Sequence, residues 1–244
     1  MRGILTYHSI DGSGSPISID VATFARHVAW LARGSVRVVP LEELAAAPDD
    51  VDALAITFDD GFANFADEAW PLLAEHELPA TVFVVSDLVG STNAWEDNAR
   101  SRMPVLPLMG WERLAELAGQ GVSIGAHGRT HARLPGLAEA RLIDELEGCA
   151  AAIQAETGQR ASTLAYPYGA ADSASAAAAR SRFTAACTAD LRLLSSGDDA
   201  HLLPRLDAYY LRSPGRLEAF GQPSFARYVR LRAAARAVRS WLRR

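Results

Sequence analysis

The chain has 244 residues, of which 49% are hydrophobic and 22% are charged, as is typical of a globular protein with a substantial core. This length fits one large domain or two small ones, and α/β barrels commonly use it as a single unit. The net charge is −5 and the basic residues other than histidine are all arginine, so no overall basic field favours nucleic acid as a partner.

Strand-like and helix-like segments alternate along the chain. The strand-like runs are GILTY, VRVVP, ALAITF, ATVFVV, VSIGA, STLAYP and FTAACT. Helical periodicity predicts helices over residues 20–33, 41–47, 64–76, 111–119 and 137–157, an Ala-rich helix between the last two strands, and an insertion at 93–107. Runs such as AITF and TVFVV have no polar alternate positions, which is expected of strands covered on both faces. The alternation predicts an α/β fold whose parallel sheet is either open or closed into a barrel.

No linker divides the chain, so residues 1–221 are predicted to form one domain and residues 222–244 a basic helix packed on it. This helix has seven arginines and no acid, with apolar residues at helical spacing: Phe225, Tyr228, Leu231, Ala235, Val238 and Leu242. One interpretation is weak contact with an anionic membrane surface or an acidic partner. The other, which we favour, is a terminal helix that packs through its apolar stripe and exposes its arginines.

The two cysteines, Cys149 and Cys187, lie far apart without CxxC spacing, which predicts buried free thiols rather than a disulfide or a metal pair. The N-terminus shows neither the apolar core nor the cleavage site of a signal peptide, and no segment has the length of an apolar membrane span. These features predict a cytoplasmic location.

Two motifs place polar side chains at the ends of buried strands. ITFDDG ends in Asp59 and Asp60, whose adjacent carboxylates need a cation or hydrogen-bond donors if both are to stay charged inside a fold. GAHGRTH brings His127 at a strand end and His131 four residues later, a spacing that lets both imidazoles face one ion. Each motif alone also fits a solvated turn, but both together in one α/β chain favour a metal site with an open position for water.

A third strand end reads TLAYPYGA. Pro167 fixes the turn and Gly169 loosens it, while Tyr168 between them can offer a backbone N–H and a ring to a cleft. Taken alone, this motif is better explained as an ordinary strand-to-helix turn.

TFDDG, then GAHxxxH, then a YPYG turn, in that order and spacing, resemble the polysaccharide deacetylase family, also known as NodB-homology domains or carbohydrate esterase family 4. The resemblance runs from LTYHSI to about LPRLDA and makes residues 1–221 the catalytic domain. It implies a distorted (β/α) barrel and a divalent metal ion, most often Zn²⁺, with Co²⁺, Ni²⁺, Fe²⁺ or Mn²⁺ as alternatives. It also implies metal-dependent removal of N-acetyl groups from sugars.

The resemblance assigns a role to each motif residue. Asp60, His127 and His131 match the metal ligands, and Asp59 matches the general base that takes a proton from the attacking water. The backbone N–H of Tyr168, together with the metal, matches the group that holds the oxyanion. A bound dication lowers the pKa of a coordinated water to about 7 in favourable zinc sites, which agrees with this division of roles.

The chain departs from the family pattern near the base. Gly128 follows the first motif histidine, where Ser or Thr is common, and Ala165 and Tyr166 stand where many members carry an arginine that pairs with the catalytic aspartate. Arg205 in LLPRLDA is the candidate substitute, because an aspartate base needs a fixed cationic or hydrogen-bonding partner. A surface arginine is an equally good interpretation of Arg205.

The family's late general-acid histidine has no clear match. His201 lies in a polar, loop-like stretch, and His27 and His76 fall within helical patterns. His8, at the end of the first strand in LTYHSI, resembles the early histidine of a subgroup that carries YH near its N-terminus. We therefore take His8 as the leading general-acid candidate, although a lone strand-end histidine is more often structural.

The sequence therefore predicts a metal-dependent deacetylase that acts on an N-acetylated saccharide. A cytoplasmic location favours an intermediate in surface-polysaccharide or glycolipid assembly as its substrate. Two alternatives stay open: a metal-dependent amidase with a non-sugar substrate, and a non-catalytic carbohydrate-binding or scaffold domain. Trp95, Trp111 and Tyr168 are candidates for stacking on a sugar, and the oligomeric state is left open.

Overall fold

The computed structural model describes residues 1–46, 51–95 and 103–241. The strands in these ranges are β1 (Arg2–Tyr7), β2 (Ser9–Ile10), β3 (Ser18–Ile19), β4 (Arg37–Val38), β5 (Ala53–Phe58), β6 (Thr81–Val84), β7 (Ser123–Ala126), β8 (Thr163–Ala165), β9 (Ala185–Leu191) and β10 (Leu203–Asp207). The α-helices are α1 (Val21–Leu31), α2 (Leu41–Ala46), α3 (Trp70–Glu75), α4 (Trp111–Gly119), α5 (Glu139–Ile143), α6 (Cys149–Thr157), α7 (Ser173–Arg180) and α8 (Pro223–Trp241). Residues Phe65–Ala69 and Asp144–Gly148 form π-helical turns that run directly into α3 and α6.

Seven parallel strands close into a barrel, which confirms the predicted fold class. Their order is β1-β10-β9-β8-β7-β6-β5, and β1 pairs with β5 along its whole length to close the ring. The register of this closing pair sets Tyr7 opposite Phe58. The next residues along the chain, His8 and Asp59, therefore leave the barrel side by side at the rim formed by the carboxyl ends of the strands.

Alternate residues of the strands belong to two hydrophobic clusters. The smaller one takes residues from strands all around the ring and so fills the barrel; it includes Ile4, Ala53, Ala55, Phe83, Ala165, Ala185, Cys187 and Leu203. The larger one lies between the strands and the helices and includes Leu54 and Ile56 of β5. Every residue of β1 and β5 is buried, as the absence of polar alternation in AITF predicted.

The predicted series of strands was incomplete, because it ended at FTAACT and left out β10. Pro204 lies inside this strand and cannot donate to a ladder, so the sequence LPRLD does not resemble a central strand. The structure accommodates the proline with an irregularity: the register with β9 shifts between Leu203 and Arg205. Strand β10 nevertheless pairs with both β1 and β9, and it carries Arg205 into the barrel rim.

The C-terminal helix α8 packs through only part of the predicted stripe: Phe225 and Tyr228 contact the core, but Leu231 and Val238 do not. Phe225 and Val229 are 1% and 3% exposed, and Ala233 packs against the larger cluster. Leu231 and Val238, assigned to the packed stripe from the sequence, are 64% and 57% exposed. The packed positions are four residues apart, and the small Ala233 continues that line. Leu242 of the predicted stripe lies outside the described residues, as do Arg243 and Arg244.

Two smaller predictions can also be compared with the structure. Cys149 and Cys187 are both buried free thiols, as predicted. In the described part of the chain, no helix combines the length and the apolar character needed to cross a membrane.

Candidate metal centre

A cavity of about 260 Å³ opens at the rim where the strands end. Strand β5 delivers Asp59 and Asp60, β7 delivers His127, and β1 delivers His8. The structure brings all seven predicted site residues together around this cavity: His8, Asp59, Asp60, His127, His131, Tyr168 and Arg205.

Asp60, His127 and His131 converge on one point. The Nε2 atoms of His127 and His131 lie 3.4 and 3.5 Å from Oδ1 of Asp60. One ligand atom from each of the three buried residues lies within 4.8 Å of the other two. Since three protein ligands leave a position for water or substrate, this arrangement is typical of a catalytic rather than a structural metal site.

Backbone strain is concentrated at the same place. Of the four described non-glycine residues with positive φ, three line this cavity: Asp60 at 71°, His131 at 60° and Tyr168 at 60°. Side chains other than glycine seldom adopt this conformation, and such strain persists where the surroundings enforce it. The turns after β5, β7 and β8 are therefore shaped to aim these residues at the cavity.

The protonation of the two histidine ligands fits a cation. Nδ1 of His127 lies 2.7 Å from the carbonyl oxygen of Ala165 and donates to it, which leaves the Nε2 lone pair facing Asp60. Burial tends to lower the pKa of His127, but the hydrogen bond to Asp60 and the charges of both aspartates raise it overall. Burial lowers the pKa of His131 to about 4, so this imidazole is neutral at neutral pH. The pocket thus attracts positive charge while keeping an imidazole available as a ligand.

The two histidine rings are held by different means. His127 is fixed by its hydrogen bond to Ala165, whereas Nδ1 of His131 has no hydrogen-bond partner among the described residues. The His131 ring instead contacts two aromatic rings, with centroid distances of 4.1 Å to Trp95 and 4.5 Å to Tyr168. Its orientation therefore depends on packing.

Glu145 fastens the loop that joins the two histidines. Its fully buried carboxylate accepts hydrogen bonds from the backbone N–H groups of Arg129 and Thr130 at 2.8 and 3.0 Å, and from the Thr130 hydroxyl at 2.6 Å. Gly128 precedes them with φ of 78°, and a Cβ there would lie 3.2 Å from the Glu145 carboxylate. The glycine thus allows the loop to approach Glu145 closely, so the loop is anchored although it lacks the common Ser or Thr.

Asp59 and Arg205 form a buried bidentate ion pair. Nη1 and Nη2 of Arg205 donate to the two carboxylate oxygens at 2.6 and 2.7 Å, and both residues are 3% exposed. Arg205 is therefore not a surface arginine. Burial on its own raises the pKa of Asp59, but the charge of Arg205, followed by that of His127, lowers it well below its ordinary value. Asp59 is thus an ionised carboxylate held in one orientation.

His8 and Asp207 complete the rim beside this pair. Nε2 of His8 lies 3.8 Å from Oδ2 of Asp59, and its side chain is partly exposed to the cavity. Asp207 lines the same cavity, and its carboxylate accepts the N–H of Tyr209 at 3.0 Å. Burial raises the pKa of Asp207 above its ordinary value, although the charge of His8 opposes this. Asp207 is the acidic group that interacts electrostatically with His8 on the β10 side.

Sequence reasoning missed three residues of this site: Asp207, Glu145 and Arg236. Asp207 lies two residues after Arg205, so it faces the same side of a strand, a signal that was lost with β10 itself. The other candidates lie elsewhere. His201 Nε2 donates to the carbonyl oxygen of Phe183, and Trp111 packs on the core at the start of α4 rather than against the ligands.

Comparison with known proteins gives consistent matches. The family model described as "Polysaccharide deacetylase" matches residues 46–184. The Bacillus subtilis (strain 168) protein YxkH, named as a candidate polysaccharide deacetylase, is 26% identical over 171 residues, which is 68% of this chain and 56% of YxkH. The chain thus spans about half the length of this curated relative.

Two solved structures share the fold. IcaB from Ammonifex degensii superposes with a TM-score of 0.73 at 23% identity, covering 92% of this chain and 96% of that one. The Streptococcus pyogenes deacetylase PplD, solved in complex with acetate, gives a TM-score of 0.72 at 19% identity and covers 84% of this chain and 91% of its own. At these identities the similarity establishes the barrel fold.

Proposed function

The chain belongs to the polysaccharide deacetylase family, and we propose that it hydrolyses the N-acetyl group of a saccharide with a divalent cation held by Asp60, His127 and His131. The observation that carries the proposal is the position of the Asp59–Arg205 ion pair next to these three converging donor atoms in one cavity. A carbohydrate-binding or scaffold domain has no need for an ionised, fixed base beside a set of metal ligands.

The donor set suits several divalent ions. Two imidazole nitrogens and one carboxylate oxygen fit Zn²⁺ and also Co²⁺, Ni²⁺, Fe²⁺ and Mn²⁺, with Zn²⁺ as our first choice. When bound, such an ion supplies Lewis-acid polarisation of the amide carbonyl and makes water a stronger acid.

The protein's own groups move the protons. Asp59, kept ionised by Arg205, takes a proton from the water whose oxygen attacks the acetyl carbon. The backbone N–H of Tyr168, in the strained turn after β8, is the donor that we assign to the developing oxyanion. As the C–N bond breaks, His8 gives a proton to the departing amine, and acetate and the free amino sugar are released.

The test is acetate release from N-acetylated saccharides by the purified, metal-loaded protein. We expect turnover to disappear on chelation, to return when the ion is restored, and to fall by a factor of about 10² or more in Asp59→Asn. The exposed Asp67→Asn, the same chemical change eight residues later, is the matched control and should keep wild-type turnover. Turnover that survives both chelation and Asp59→Asn contradicts the mechanism.

The substrate screen also addresses the alternative of a non-sugar amide. Trp95 and Tyr168, which line the cavity, favour a saccharide because sugar faces stack on aromatic rings. If the protein releases amines only from non-sugar amides, the proposed substrate changes from a saccharide to a non-sugar amide, and the proposed metal chemistry stays the same. The cytoplasmic location and the precursor type of substrate stay predictions.

A further inference from the structure

Arg236 lies at the edge of the candidate metal centre although it comes from the C-terminal helix. Phe225 and Val229 fix α8 to the core, and Arg236 lies on the same face of the helix, three residues after Ala233. Its Nη1 donates to the carbonyl oxygen of Ala189 near the end of β9, at 2.9 Å. The half-buried guanidinium therefore has a fixed place in the wall of the cavity.

Arg236 differs from Arg205 because its charge is not paired with a carboxylate of the fold. Arg205 gives two hydrogen bonds to Asp59 and one to the Thr188 carbonyl. Within the described residues, the Arg236 side chain makes one hydrogen bond, to the carbonyl oxygen of Ala189, and no salt bridge with a carboxylate. Asp207 is the acid whose charge interacts with it over a longer range, without a salt bridge. A guanidinium has five N–H donors, so Arg236 keeps donors for a ligand.

Arg236 also lines a second, outer groove of about 450 Å³. Tyr168, Gly169, Ala189 and Arg236 line both spaces, so the groove continues from the metal cavity past the guanidinium. The groove contains two further charged groups, Asp190 and Arg192, and Arg192 is paired with Asp198 at 2.8 Å. The exposed Arg133 lies over the Tyr168 ring, 5.0 Å from its centroid. Two cations, Arg236 and Arg133, thus lie near Tyr168, which lines both the metal cavity and the groove.

Building on the proposed function, we infer that Arg236 binds an anionic group that the substrate carries beside the N-acetylated sugar. The natural substrate is then an acidic saccharide, with either a uronate carboxylate or a phosphate at that position. A guanidinium recognises both through paired N–H donors, which is why the chemistry on the protein side is the same for the two.

The experiment compares kcat/KM on three probes. They are the neutral disaccharide N,N′-diacetylchitobiose, a disaccharide of N-acetylglucosamine and glucuronate, and N-acetylglucosamine 1-phosphate. We expect the wild type to favour at least one acidic probe by about tenfold, and Arg236→Gln to remove that preference mainly through KM. The preferred acidic probe then distinguishes a carboxylate from a phosphate. Arg236→Lys, which keeps the positive charge but loses the paired N–H donors of the guanidinium, should retain part of the preference.

Arg230→Gln is the matched control, because Arg230 is an exposed arginine on the same helix. It should leave the preference at the wild-type value, and thermal unfolding should show that all variants are folded. Equal kcat/KM on charged and neutral probes overturns this inference alone, as does an equal loss on all three probes in Arg236→Gln. A folded, metal-loaded wild type that turns over none of the probes instead contradicts the proposed function.

Discussion

Replacing Arg205 by methionine tests how much the buried ion pair with Asp59 contributes to the free energy of unfolding. The substitution keeps an unbranched side chain inside the barrel but removes two charge-assisted hydrogen bonds of 2.6 and 2.7 Å. It also removes the donor to the Thr188 carbonyl at 2.9 Å. What is left is a carboxylate that is 3% exposed and has lost its counter-ion.

The expected cost follows from this geometry. Breaking a buried pair by deleting one partner destabilises a protein by about 3–5 kcal/mol, because the remaining charge is buried without compensation. When Asp59 is already asparagine, Arg205 is itself a buried charge without a counter-ion, so Arg205→Met should then cost little or even stabilise the protein. The two substitutions should therefore be coupled by about 2 kcal/mol or more.

The assay is denaturant unfolding of four proteins: the wild type, Arg205→Met, Asp59→Asn and the double variant. A chelator is present throughout, because a metal that binds the native state would add its own stabilisation to some variants and not to others. Free energies of unfolding that add within about 0.5 kcal/mol would refute the reasoning. So would an Arg205→Met protein that loses less than about 1 kcal/mol, since that result means that solvent reaches Asp59.

Three further outcomes are expected. His8→Ala should keep the metal content of the wild type yet lose a factor of about 10² in kcat, and near-normal turnover would return His8 to a structural role. Glu145→Gln should weaken metal affinity about tenfold in a competition assay with a chelator, because the amide has one acceptor oxygen and cannot keep both the two backbone N–H bonds at Oε2 and the Arg141 bonds at Oε1; unchanged affinity would show that the loop needs no anchor. The buried His27, whose pKa burial lowers from 6.5 to about 4, should contribute about 3 kcal/mol of stability that is complete above pH 6.5 and lost as the pH falls to about 4. Denaturation at a series of pH values should show this slope in the wild type and a flatter one in His27→Gln.

The parts of the site that the sequence predicted share one property: each is a chemical motif of a few residues at the end of a strongly apolar strand. Asp59 and Asp60 follow ALAITF, and His127 follows VSIGA, so strand and ligand can be identified together. Parallel strands necessarily bring their carboxyl ends to one rim, which is why residues about 70 positions apart could be predicted to meet. The fold class followed from the same alternation.

The partner of the base was harder to predict, because the strand that carries it breaks the pattern of a central strand. Pro204 interrupts the apolar run of β10, and only the register shift beside it lets Arg205 enter the barrel rim. Nothing in the residues alone shows that a proline will be accommodated by an irregularity rather than end the strand. The same error removed Asp207 from consideration, although it stands at an alternate position to Arg205.

Arg236 could not be predicted for a different reason, which lies in the geometry of helices. Phe225, Tyr228 and Leu231 satisfy helical spacing, and so do Phe225, Val229 and Ala233, so periodicity fits either packed face. The choice is made by what α8 packs against: Ala233 is small enough to lie close to β9, whereas Leu231 is left 64% exposed. Since a helical residue shares its face with those three and four positions away, that choice also directs Arg236 into the cavity. The position of Arg236, and with it the proposed substrate selection, is thus set by how α8 packs on the barrel. The chemical motifs at the strand ends do not predict that packing.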